Sequence, residues 1–172
     1  MIFLSEDNLL LHKEYVNKKR LQLSIIEKSI SGIKNKSVGE ILGMRLSPRD
    51  KADTTLLLSE IVLHDLFFSS YSDEPYPGSA AIRRDFGTES NLLNRMYALG
   101  MGQSYGFAVL LSTGRRYEVL AADDYVSVFT RGTPVLALDV CEHAYFRDYG
   151  FDKERYLVSA LTHLDLSRVD EF

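Results

Sequence analysis

A chain of 172 residues, 45% hydrophobic and 26% charged, has the makeup of one compact domain or two small layers sharing a core, not of a disordered segment. Its formal net charge of −4 leaves no basic footprint, which argues against nucleic acid as the main partner. A single cysteine, Cys141, excludes an intramolecular disulfide and a cysteine-rich zinc site.

The start, MIFLSEDNLLLHKEY, lacks the positive leading region and small-residue cleavage site of a signal peptide. No apolar run reaches the roughly 18 residues that span a bilayer, so a cytoplasmic protein with no membrane partner is expected. From Ser5 to about Ser31 the pattern predicts a helix. Ser5 can cap it, Glu6 and Asp7 suit the positive end of the first turn, and Gly32 stops it. Leu9, Val16, Leu23, Ile26 and Ile30 recur at helical spacing. SVGEIL predicts a short helical turn and RLSPRDKAD a loop. A second helix is expected over Thr54 to Ser69, apolar nearly all round and therefore buried, with Glu60 and His64 one turn apart on one face. SYSDEPYPG supplies turn residues and a seam between two halves, 1–75 and 76–172.

Beyond the seam, SAAIRRDFG and ESNLLNRMYALGMG predict helices. YGFAVLLST, RRYEVLAADD and TPVLALDV predict three strands, the first two joined as a hairpin at Gly114. The third strand runs directly into CEHAYF, and DKERYLVSALTHL closes as an amphipathic helix. The order predicts an α+β protein: an N-terminal antiparallel helical hairpin, then an α/β half with a three-stranded antiparallel sheet.

Three places put metal-ligand side chains on ordered backbone: His12 or Asp7 on the first helix, His64 on the second, and Asp139 with His143 after the last strand. Two or three imidazoles with one carboxylate suit iron or manganese and leave positions open for a small substrate; zinc also accepts such a set. Each residue has a plainer use. A histidine in a buried helix serves as a hydrogen-bonded core residue, Asp139 as a helix cap, and Glu60 with His64 as neighbours on one face. Composition and spacing by themselves favour the plainer uses over a metal site.

In that setting DVCEHAYFRDY resembles the D-V-W-E-H-A-Y-Y signature of the iron/manganese superoxide dismutases. IRRDFGTESNLL is similar to the opening of that family's second domain, LHDLFFSS to its second-helix H-x-x-F segment, and HKEYVNKK to its first-helix H-x-x-Y-V-N segment. All four occur in the family's order. The resemblance implies one iron or manganese ion per chain between the halves, with His64, Asp139 and His143 as ligands, and superoxide as the substrate. Tyr15 falls at a substrate-gate tyrosine. Glu142 falls at a glutamate that bonds the ligand histidine of a second subunit, which implies a homodimer joined through Glu142 and His143.

The chain departs from the family pattern mostly near the chemistry. Counting back eight residues from Tyr15, where the family has its first ligand histidine, lands on Asp7. Anchoring instead on the Ser5 cap selects His12, at the cost of about one helical turn, which restores the facing. His12 is the preferred fourth ligand, with Asp7 as rival and no protein ligand as a third case. Cys141 replaces a tryptophan, Tyr105 and Phe68 stand where tryptophans are usual, and Leu11 and Phe146 replace a paired gate histidine and tyrosine. Glu60 sits where iron-type enzymes keep a glutamine bonded to solvent at the metal. Ionised glutamate only accepts hydrogen bonds, so the change would lower the metal's potential or add a ligand. Gln103 is expected to supply the lost donor, and Lys153 with Arg155 to guide the anion. Two other readings stand beside dismutation: a non-catalytic scaffold of the same fold, and an oxygen-activating two-histidine, one-carboxylate enzyme.

Overall fold

A computed structural model describes residues 3–76, 78 and 80–171; Pro77 of the expected seam and the outermost residues 1, 2 and 172 lie outside them. Ser5 opens the first helix, α1 (Glu6–Ser29), by accepting the Asn8 backbone N–H at 3.2 Å, with Glu6 and Asp7 in the first turn. The face that α1 buries carries Asn8, His12 and Val16, so two of its three buried side chains are polar. Leu9, Leu23, Ile26 and Ile30, expected on the core face, are half-buried. A capping box between Ser37 and Glu40 starts the short α2 (Val38–Gly43).

The second long helix, α3 (Pro48–Ser69), begins six residues before the expected Thr54, inside the segment read as a loop. The reason is local. Ser47 accepts the Asp50 backbone N–H at 3.1 Å and donates its hydroxyl to the Asp50 carboxylate at 2.7 Å. Pro48 at the first helical position has its φ already set. Helix α3 is buried along most of its length, from Thr54 to Phe67, as its apolar composition predicts.

Helices α4 (Ala80–Phe86) and α5 (Glu89–Gly102) lead into strands β1 (Phe107–Ser112) and β2 (Tyr117–Ala122). A five-residue helix that carries no sequence signal, α6 (Ser127–Arg131), precedes β3 (Thr133–Asp139). The sheet is antiparallel in the order β2–β1–β3, with Phe107 opposite both Ala122 and Asp139. Pro134, which has no N–H to give, sits on the edge strand at a register shift opposite Leu111. Helices α7 (Glu142–Tyr149) and α8 (Lys153–Thr162) and a final 3-10 turn (Ser167–Glu171) complete the described chain.

The helix pair, the three-stranded sheet and their order agree with the predicted α+β architecture. One core joins Phe3, Leu63 and Phe67 to the sheet residues Phe107–Leu111 and Val135–Leu138, and to Tyr156, Leu157 and Ala160 of α8. At the expected seam the backbone is tied to the end of the chain: Ser72 N–H to His163 C=O at 3.0 Å, and Asp165 N–H to Ser70 C=O at 2.9 Å. No helix among the described residues is long and apolar enough to cross a membrane.

Candidate metal centre

Asp139 ends β3 with its side chain wholly buried. Its Oδ1 accepts the Cys141 N–H at 2.9 Å, and its backbone carbonyl accepts the Tyr156 hydroxyl at 2.7 Å. One contact holds a carboxylate oxygen and the other the backbone, which leaves Oδ2 facing the helices. Cys141, not Asp139, is the N-cap of α7, and Asp139 braces the turn from one step further back.

Three imidazoles converge on that one oxygen. Nε2 of His12 lies 3.1 Å from it, Nε2 of His143 3.1 Å and Nε2 of His64 3.4 Å. One nitrogen from each ring and one carboxylate oxygen lie within 4.8 Å of one another. Elements α1, α3, β3 and α7 each send one residue. Asp7, the rival on α1, points outward and pairs with Arg147 at 3.3 Å.

The spacing suits a shared cation better than a proton network. Asp139 Oδ2 and both ring nitrogens of His12 are buried without an aligned hydrogen bond. Nε2 of His64 and Nε2 of His143 face each other at 3.3 Å. Ligand atoms about 2.1 Å from one ion in tetrahedral array stand about 3.4 Å apart, close to the three histidine–Asp139 separations and that of His64 from His143. Burial alone would raise the Asp139 carboxyl, but the imidazoles of His143, His12 and His64 outweigh it and hold it well below the usual carboxylate range. Burial lowers His12, with Asp139 opposing. In His143 the same burial is overcome by Asp139, and the net shift is upward.

Aromatic rings close the sides. Tyr15 stacks on His143 with centroids 4.6 Å apart, while Phe67 and Phe68 pack on His12 and Phe107 on His64. The Glu60 carboxylate is not among the ligand atoms. It accepts the Tyr15 hydroxyl at 2.5 Å and pairs with the Lys19 ammonium at 3.0 Å. Gln103 does not supply the lost donor: its amide N–H groups reach the carbonyls of Tyr105 and Phe107, at 3.4 and 3.3 Å. Lys153 donates to the Gln103 carbonyl, and Arg155 lies over the Tyr149 ring.

A pocket of about 280 Å³ reaches the centre between α1 and α7, lined by Leu11, Tyr15, Glu142, Phe146 and Arg147 besides His12 and His143. Arg147, which pairs with Asp7, is the cation that lines this pocket; Lys153 and Arg155 are not among its lining residues. Lys19 was also missed; its one signal is its place four residues after Tyr15. Tyr125 gave none. It holds a left-handed backbone at φ 55° beside Phe107, a conformation that a bulky residue rarely adopts.

Residues 77–172 match the family model of the C-terminal domain of iron/manganese superoxide dismutases. An iron superoxide dismutase of Cupriavidus metallidurans is 30% identical over 125 residues, which cover 69% of this chain and 64% of the relative. A chloroplastic iron superoxide dismutase of Arabidopsis thaliana is 28% identical over 62% of this chain and 44% of its own length. A manganese superoxide dismutase of Haloferax mediterranei is 35% identical over 97 residues, 52% of this chain and 67% of the relative. The chain thus spans about half to two thirds of the length of these relatives.

Proposed function

This chain belongs to the iron/manganese superoxide dismutase family, and from that premise we propose that it binds one iron or manganese ion and dismutes superoxide. His12, His64, Asp139 and His143 would hold the ion. The observation that carries this reading is the convergence of three Nε2 atoms within 3.1–3.4 Å of the single oxygen Oδ2 of Asp139. The bound ion supplies the one-electron couple by which two superoxide ions and two protons become oxygen and hydrogen peroxide.

The protein's own groups have separate tasks. The pocket between α1 and α7 would admit a small anion past Arg147, whose charge is shared with its partner Asp7. Tyr15 forms one wall. Burial and the Glu60 carboxylate push its hydroxyl above the ordinary tyrosine range, so Oη keeps its proton at neutral pH. Asp139 and the three imidazoles supply one negative charge to a buried cation.

The homodimer belongs to the same proposal. The His143 side chain is 32% exposed, and among the described residues its Nδ1 has no hydrogen-bond partner. Glu142 beside it is exposed, as are Leu11 and Phe146. A second copy laid on this face would bring its Glu142 to the free Nδ1 and cover the apolar pair. Glu142→Ala is expected to shift the protein towards monomer in sedimentation; an unchanged dimer would remove this contact from the proposal.

Metal analysis of protein purified without chelator tests the main reading. Iron or manganese near one per chain, lost in His64→Ala, together with superoxide consumption, is the expected result. Absence of redox metal after growth in supplemented medium would leave a scaffold, and bound metal without superoxide consumption a different oxygen chemistry.

A further inference from the structure

Lys19, Glu60 and Tyr15 form a continuous chain of contacts from the surface to His143. Tyr15 and Lys19 are one turn apart on α1, and Glu60 faces both from α3. The Lys19 ammonium is 3.0 Å from one Glu60 carboxylate oxygen and 5.0 Å from the centre of the Tyr15 ring. The other Glu60 oxygen takes the Tyr15 hydroxyl, and the Tyr15 ring stacks on His143. Only 7% of the Glu60 side chain and 26% of that of Lys19 is exposed.

The chain also separates two openings. Lys19 and Glu60 line a groove of about 440 Å³ between α1 and α3, walled by Ile25, Ile26, Leu56 and Leu57. Tyr15 lines the pocket on the other side, beside His12 and His143. Without Lys19 the largely buried Glu60 carboxylate would lose its one cationic partner among the described residues, in a groove that also holds the Asp53 carboxylate and the Gln22 amide. That arrangement is unfavourable and drives such a group towards water. Turning outward, it would release the hydroxyl that it holds.

We propose that Lys19 is a positioning residue of the centre: its ammonium clamps Glu60 against Tyr15 and thereby fixes the Tyr15 ring over His143. The effect on turnover rests on the dismutase reading; the effect on geometry does not. The test uses Lys19→Met, Lys19→Arg, the double variant Lys19→Met with Glu60→Gln, and Lys18→Met as an exposed control.

The first readout is NMR of the metal-free protein, where the Tyr15 ring current marks the His143 ring protons. Lys19→Met is expected to move those resonances towards their positions in Tyr15→Ala. Lys19→Arg and Lys18→Met should leave them in place, and the double variant should return them, because a neutral amide needs no counter-charge. The second readout is superoxide consumption per bound metal, expected to fall about tenfold in Lys19→Met and to stay at the wild-type rate in Lys18→Met, as for a displaced group beside the reacting centre. Wild-type resonances in Lys19→Met, or equal movement in Lys19→Arg, would overturn the proposal. Resonances that move as expected in a protein that consumes no superoxide would keep the clamp and sink the dismutase reading.

Discussion

His64 places its Nδ1 2.7 Å from the backbone carbonyl of Glu60, one turn earlier on α3. A carbonyl only accepts, so Nδ1 carries the proton and Nε2 turns its lone pair towards Asp139. The helix itself therefore sets the tautomer needed for metal binding. Long-range nitrogen–proton NMR of the metal-free protein should find His64 in the Nδ1–H form. His64→Gln, which cannot reproduce that ring geometry, should weaken iron or manganese binding by at least about a hundredfold in a competition titration with a chelator.

Cys141 sits between two candidate ligands, yet its surroundings suppress thiol chemistry. Its Sγ accepts the Gly106 N–H at 3.1 Å, and burial, reinforced by the Asp139 charge, pushes the thiol far above its ordinary value. A thiol held protonated is a poor nucleophile. An aromatic disulfide reagent at pH 8 should therefore leave native protein unlabelled over minutes and label one thiol per chain in guanidinium. Rapid labelling of the folded state would show that the turn before α7 opens.

Gly106 is the fixed point of that turn. Its φ of +90° lies in the left-handed region, and a Cβ there would stand 2.4 Å from the Ala122 carbonyl oxygen, which belongs to β2 and cannot move aside. Its own carbonyl accepts the Val140 N–H at 3.0 Å, so β1 and the segment after β3 are tied together at this residue. Gly106→Ala is expected to cost about 3 kcal/mol in urea unfolding, from backbone strain and the clash together.

The fold was legible because its signals are local. The Ser5 cap, the Gly114 hairpin and the alternation of helical and strand patterns each depend on a few neighbouring residues. The positions on α3, β3 and α7 whose side chains the structure brings together, His64, Asp139 and His143, were legible from segments that resemble the family. The choice between His12 and Asp7 was not, because it depends on how α1 is rotated against α7. That rotation is set by contacts some 140 residues apart in sequence, such as Asn8 with Ala144. The Lys19–Glu60 pair was hidden for the same reason: a basic run on an exposed helix reads as a solvated face until its partner helix is in place. The early start of α3 was legible and was misread, since Ser-Pro-x-Asp is a helix opening as well as loop chemistry.

The rotation of α1 is held in part by a carboxylate, and that makes it sensitive to acid. Asp148 Oδ2 accepts the Ser5 backbone N–H at 2.8 Å and the Asn8 side-chain amide at 3.0 Å, and the same amide nitrogen reaches the Ala144 carbonyl at 3.0 Å. Partial burial would raise the Asp148 carboxyl, but these donors, with Arg147 nearby, bring it below the ordinary aspartate value. A folded-state pKa below the unfolded one means that the contribution is complete above the unfolded value, about 3.9. It is lost as pH falls from there through the lower folded value. Asp148→Asn should thus be less stable than wild type by about 1 kcal/mol at pH 7 in urea unfolding of the metal-free protein. The two unfolding curves should draw together as pH falls below about 3.9 and through the lower folded value. A gap that persisted at pH 2.5 would mean that Asp148 acts through shape and not charge, and that α1 is held in phase by Asn8 and the packing of Val16 instead.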